Sequence, residues 1–200
     1  MVESRLEQDC PICFSDGTLK MIAHSSEIPY FGEHTQITMV CEGCGWKVTD
    51  FIPADGKKPG AWSLVVDSEG HMNTRVVRSS SCTIRIGELG LEVSPGGSST
   101  GYVSNIEGVL NRFEDAVGTI RRQSERDNEG AEILARCDEM LASIESVRNG
   151  EASVTLELLD PVGHSQILHE DAISREIGKD EAESLDPGPV YPVFDASEVL

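Results

Sequence analysis

Basic residues are scarce in this 200-residue chain: 16 Lys and Arg stand against 35 Asp and Glu, giving a formal net charge of -19 at pH 7 and a pI near 4.5. A phosphate backbone is repelled by such a surface, which argues against non-specific nucleic-acid binding. A basic or positively patched protein partner suits it, and so does a purely solubilising role for the acids. The start lacks the charged, apolar and small-residue pattern of a signal peptide, and no apolar run approaches twenty residues, so a cytosolic protein without a membrane span is expected. Catalytic patterns are missing too. The Ser79-Ser80-Ser81 run has no His or acid placed by sequence to complete a triad, and Pro95-Gly96-Gly97-Ser98-Ser99 reads as a turn, being neither a nucleophile elbow nor a phosphate loop with its Lys. His71, His164 and His169 match no recognised ligand spacing. The expectation is a protein that is not an enzyme.

What is present begins with cysteine. Four of six fall into two Cys-x-x-Cys pairs, Cys10-Pro11-Ile12-Cys13 and Cys41-Glu42-Gly43-Cys44. Each pair can bend its backbone around one side of a tetrahedral ion, and four thiolates close the coordination sphere, leaving no position for substrate or activated water. One structural zinc is expected. A single iron as in rubredoxin uses the same donors, and softness alone does not separate the two metals. The long gap between the pairs suits a ribbon, in which a hairpin carries one knuckle to the other. Cys82 and Cys137 stand alone in apolar patterns and read as core residues, and this cysteine usage points to a reducing compartment.

Along the chain, Met1 to Asp9 is a polar lead-in, frayed or briefly helical. Leu19 to Ser25 and Thr35 to Val40 read as strands. Between them Pro29 and Gly32 bracket Tyr30 and Phe31; with aromatics only 5% of the chain, two side by side on a ribbon tip either pack on the next domain or touch a partner. His24 and His34 read as surface residues. Pro53 to Gly60 is turn-rich and marks the domain boundary. Beyond it, Trp62 to Val66, Thr74 to Arg78, Cys82 to Ile86, Leu91 to Val93 and Gly101 to Val103 are short β-runs, as in a sandwich or a β-helical roll.

The period changes at Ser104, which with Glu107 forms an S-x-x-E capping box at a helix start. Ile106, Val109, Leu110, Phe113, Val117 and Ile120 follow at helical spacing. After a break near Asn128 a second amphipathic run carries Ile133, Leu134, Cys137, Met140, Leu141, Ile144 and Val147, stopped by Asn149-Gly150. Strands resume at Val154 to Leu158 and Ser165 to Leu168, so the helical hairpin, over about 104–149, is an insertion in one β domain. From Lys179 onward the chain reads as an acidic, Pro-containing tail.

Several motifs in order resemble the ZPR-type zinc-finger proteins, in the short single-module form seen in archaea. They are both knuckles, Ile28-Pro29-Tyr30-Phe31-Gly32-Glu33, Cys44-Gly45-Trp46, Arg78-Ser79-Ser80-Ser81, Ile86-Gly87-Glu88-Leu89-Gly90-Leu91-Glu92, Ile106-Glu107-Gly108-Val109-Leu110 and Asp160-Pro161-Val162-Gly163-His164-Ser165. Gly87 stands where the family usually has Pro, and His164 where Asn is frequent. The resemblance implies a mainly β protein with inserted helices. A four-Cys zinc ribbon over 1–52 precedes a double-stranded β-helix, jelly-roll-like domain over 53–178 that carries the helical hairpin, and 179–200 form the tail. It implies zinc ligands at Cys10, Cys13, Cys41 and Cys44, and partner contacts at Tyr30, Phe31, Glu88 and Leu89. It also implies a binding role: eukaryotic relatives carry two such modules and associate with translation elongation factor 1-alpha as folding chaperones. The alternative is a nucleic-acid-binding zinc ribbon of transcription or translation, which the few basic residues near the knuckles (Lys20, Lys47, Lys57 and Lys58) oppose.

Overall fold

The computed structural model describes residues 1–28, 32–53, 58–127 and 130–188. The N-terminal region forms one antiparallel sheet in chain order, β1 (Val2–Leu6), β2 (Leu19–Ile28), β3 (Gly32–Cys41) and β4 (Lys47–Pro53). Period-2 alternation brings its apolar residues to one face. Leu6 lies opposite Leu19, Leu19 opposite Cys41, Met21 opposite Met39 and Met39 opposite Val48. These residues and Cys10 make a small core of their own. The polar lead-in is therefore a strand rather than a frayed end: pairing with β2 sets Leu6 opposite Leu19 and into the ribbon's core. His34 is another correction: it is 1% exposed and shares a β3 face with buried Thr38. Both faces of β3 are covered, which a polar alternation does not disclose.

The remaining strands form a two-sheet roll. β5 (Gly60–Val66), β7 (Thr83–Ile86), β8 (Leu91–Val93), β10 (Val154–Asp160) and β12 (Ile173–Glu176) make an antiparallel sheet in the order β12-β5-β10-β7-β8. β6 (Arg75–Arg78), β9 (Tyr102–Asn105) and β11 (Gln166–Leu168) make the other, in the order β11-β6-β9. Leu64, Val66, Ile84, Ile86, Leu156 and Leu158 from the first meet Val76 and Ile167 from the second in one core, which also takes in Cys82 and Cys137. The protein is mostly β with helices: a four-Cys ribbon, then a jelly roll with a helical hairpin inserted.

That hairpin is α1 (Ile106–Arg126) and α2 (Ala131–Arg148), between β9 and β10. Ile106, Val109, Leu110, Phe113 and Val117 of α1 and Cys137, Ile144 and Val147 of α2 enter the roll's core. Ile120 and Ile133 keep the helical period yet stay exposed, and the Arg121–Asp138 ion pair at 2.6 Å links the helices nearby. The helix start also differs from expectation. Ser104 is still in β9, paired with Val76, and Asn105 is the N-cap, its Oδ1 accepting the Gly108 N–H at 2.9 Å. After β12, a short helix α3 (Lys179–Ser184) occupies the start of the expected tail; its Ala182 and the following Leu185 pack on Ala61, Leu159 and Ile177. This second small cluster explains why Leu158 and Leu159, which point to opposite faces of β10, are both buried. Among the described residues no helix is long and apolar enough to cross a membrane.

Ribbon and roll meet along β4. The Gly101 N–H donates to the Thr49 carbonyl at 2.7 Å, and the Thr49 N–H donates to Thr100 Oγ1 at 3.2 Å. Asp50 accepts both the backbone N–H and the hydroxyl of Ser80, at 3.0 and 2.5 Å. The approach is close enough to require glycine at 101: a Cβ there would lie 2.6 Å from Asp50 Oδ1 and 3.2 Å from the Arg78 carbonyl.

Candidate metal centre

The two knuckles are built alike. In the first, the Phe14 N–H donates to the Cys10 carbonyl at 2.9 Å and the Cys10 N–H to the Ser15 carbonyl at 3.1 Å. In the second, the Gly45 N–H donates to the Cys41 carbonyl at 2.9 Å and the Cys41 N–H to the Trp46 carbonyl at 2.8 Å. The residue after each second cysteine takes the left-handed conformation, Gly45 at φ 75° and Phe14 at φ 57°. Glycine adopts it freely, whereas a side chain costs about 1–2 kcal/mol there. Phe14 is the one non-glycine residue with positive φ among those described, and it is 75% exposed beside Ile12 at 58%.

This common geometry turns four sulfurs inward. Cys10 Sγ and Cys44 Sγ are 3.7 Å apart and Cys13 Sγ and Cys41 Sγ 3.6 Å, and all four lie within 4.8 Å of one another. Sulfurs bound tetrahedrally at the zinc–thiolate distance sit about 3.8 Å apart, so the cage already has the right size. Its electrostatics ask for a cation. The Ser15 hydroxyl, 3.5 Å from Cys13 Sγ, lowers that thiol, and the Thr18 hydroxyl, 3.3 Å from Cys41 Sγ, draws Cys41 down to about 6. The Trp46 N–H near Cys44 favours its thiolate, yet desolvation and the three neighbouring thiols push it up to about 12. Four sulfurs this close cannot all ionise alone. A divalent ion removes the conflict, and the set Cys10, Cys13, Cys41 and Cys44 is positioned to bind one zinc. A zinc with four protein thiolates is structural and has no exchangeable site.

The serine run has a different explanation. Ser79, Ser81 and Ser165 donate hydroxyl hydrogen bonds to the Asp160 carboxylate at 2.8, 2.7 and 2.6 Å, and the N–H groups of Val162 and His164 add two more at 2.9 Å. Burial acts to raise the Asp160 carboxyl, but these donors outweigh it and hold it below the usual range. The hydroxyls are committed to a buried anion that orders the turn between β10 and β11, and Ser80 is committed to Asp50.

The expected partner contacts do not form one patch that can be described. Tyr30 and Phe31 lie outside the described residues. Glu88 accepts the Thr155 N–H at 3.0 Å, which ties its turn to β10, and Leu89 is half-buried against the core. Ile12 and Phe14, exposed on the first knuckle, are singled out by no motif of the sequence. The signal lay in superposing the two knuckles, which puts Phe14 where Gly45 shows that a left-handed residue is required.

Comparisons with known proteins agree with this geometry. A family model described as the ZPR1 zinc-finger domain matches residues 2–56, and one described as the ZPR1 jelly-roll domain matches residues 70–183. An uncharacterized ZPR1-like protein of Pyrococcus horikoshii is 41% identical over 191 residues, 96% of this chain and 85% of the relative. Another, of Methanocaldococcus jannaschii, is 38% identical over 182 residues, 91% of this chain and 90% of the relative. The zinc finger chaperone zpr1 of Schizosaccharomyces pombe is 29% identical over 166 residues, 79% of this chain but only 34% of that protein.

Proposed function

The chain belongs to the ZPR1 zinc-finger family, and from that premise we propose that it is a cytoplasmic protein-interaction module that binds and chaperones translation elongation factor 1-alpha. Its ribbon over 1–52 presents a metal-held knuckle, its roll over 53–178 supplies a second contact surface, and 179–200 follow as an acidic segment. The reading rests on the exposed pair Ile12 and Phe14 on a knuckle whose backbone is fixed by the thiolate cage. Large apolar side chains on a rigid support lose little entropy when a partner covers them. The name of the yeast relative, a zinc finger chaperone, and the acidic balance of the chain support a polypeptide client with a basic surface. Tyr30, Phe31, Glu88 and Leu89 are proposed as further contacts.

The test uses Phe14→Gly, which relieves the left-handed backbone while deleting the exposed ring. The variant should keep its zinc, and its affinity for the purified factor at low salt should fall at least about tenfold, the loss of roughly 1.4 kcal/mol. Unchanged affinity would remove Phe14 from the interface. Absence of binding by the unmodified chain, with no enrichment of the factor in a cytosolic pull-down, would end the proposal for this client.

A further inference from the structure

A second group of metal-ligating side chains lies at one end of the roll, away from the thiolates. His71 sits in a single 3-10 turn, Glu69–Asn73, that follows β5, and His169 and Asp171 sit in the turn between β11 and β12. They are about a hundred residues apart in sequence. Pairing of β12 with β5 and of β11 with β6 brings the two turns together. One ligand atom from each of the three residues lies within 4.8 Å of the others, and the imidazole rings meet edge to face at 4.8 Å between centroids.

Three features distinguish this group from a chance surface cluster. Both histidines are largely withdrawn from solvent, their side chains 15% and 26% exposed. Each ring is also positioned through Nδ1 by its own loop. For His71 the Asp67 N–H lies at 3.4 Å and the Asp67 carboxylate at 3.3 Å; for His169 the Asp171 N–H lies at 3.2 Å and its carboxylate at 3.6 Å. A ligating imidazole gives its other ring N–H to a carboxylate; the Asp67 carboxylate is placed to take an Nδ1–H from His71 once the ring proton moves there from Nε2, and the backbone N–H groups hold both rings until then. Finally, His169 borders a cleft of about 820 Å³ that also takes in Trp62, Arg75 and Gln166, so an ion there has room for exchangeable ligands.

We infer that His71, His169 and Asp171 form a second, open metal site for a divalent first-row ion of the zinc, cobalt or nickel class, with Asp67 orienting His71. Two imidazoles and a carboxylate match the borderline preference of these ions. Ligands about 2.1 Å from a tetrahedral ion stand about 3.4 Å apart, so an ion would draw the three groups inward from their present spread of up to 4.8 Å, the exposed Asp171 side chain being free to rotate. Three protein ligands leave at least one position for water or a small anion, unlike the closed thiolate cage.

The experiment uses the full chain without a histidine tag, its thiolate site filled with one equivalent of zinc. Calorimetric titration with zinc chloride should show one further equivalent, and His169→Ala or His71→Ala should abolish it. Asp67→Asn should weaken it by about tenfold or more, as loss of an orienting carboxylate does. In the unmodified chain, nickel should broaden the ring resonances of His71 and His169 ahead of those of His24, a readout independent of whether the variants fold. Cobalt in the thiolate cage should keep its sulfur charge-transfer bands in every histidine variant. Lack of a second equivalent, its persistence in the His71→Ala/His169→Ala double variant, or equal broadening of all histidines would overturn the assignment.

Discussion

The ribbon and the roll each contain a concentrated polar centre, and they satisfy it in opposite ways. In the roll, one buried carboxylate receives five hydrogen bonds from its own chain, three from hydroxyls and two from backbone N–H groups. In the ribbon, four sulfurs crowd together and their own chain offers them hydroxyl and N–H groups but no counter-charge at contact distance among the described residues. One centre is complete on folding; the other needs an ion from outside. The apolar cores follow the same division: among the described residues the roll's main cluster has twenty buried members and the ribbon's has seven, two of those seven being ligand cysteines. A module too small to bury enough surface rests on metal, and its larger neighbour does not.

The widest test of this contrast is to remove the ion. Cys10→Ser, or chelation of the unmodified chain, should unfold the ribbon, where metal binding contributes on the order of 10 kcal/mol or more. The roll should stay folded, read by hydrogen exchange as lost protection in β1 to β4 and retained protection in β5, β7 and β10. Simultaneous loss in both would show that they fold as one unit.

The converse variant is Asp160→Asn. It places an amide N–H₂ among five donors and should cost the roll about 3 kcal/mol, while zinc affinity stays unchanged. The acid response has a definite sign. The folded carboxyl is held below its ordinary value, so its stabilisation is present above the unfolded carboxyl's titration near pH 4 and fades as pH falls through the lower folded value. Urea midpoints of the unmodified roll should therefore drop below about pH 4, and the variant should show a flatter profile. The smallest effect belongs to the joint. Asp50→Ala deletes two hydrogen bonds to Ser80 and should cost about 1–2 kcal/mol, seen as wider separation of the ribbon and roll transitions. Unchanged transitions would mean that Asp50 does not couple the two regions.

Local chemistry was the part of this architecture legible in the sequence. The cysteine pairs announce the cage because both members of each pair lie within one turn of backbone. The apolar spacing from Ile106 to Val117 and the alternation from Val154 to Leu158 announce the helical and strand faces that the core buries. The role of Ser79-Ser80-Ser81 was not legible, since its acceptors, Asp160 and Asp50, are 81 and 30 residues away. β1 was hidden for the same reason: a polar strand with a single buried Leu6 acquires meaning only opposite Leu19. Asn105 displaced the expected cap because pairing with Val76 keeps Ser104 in the strand, a long-range demand outweighing a local motif.

The placement of β10 has a consequence for how the chain is made. β10 lies between β5 and β7 in its sheet, yet it is encoded after the whole helical hairpin. As the polypeptide leaves the ribosome, the ribbon can take up zinc once its second knuckle and β4 have emerged, whereas β5, ending at Val66, and β7, ending at Ile86, must wait for the strand that joins them, which starts only at Val154. Vectorial synthesis thus delivers a finished metal module attached to a half-built roll with unsaturated strand edges, the state in which a nascent chain is most exposed to mispairing.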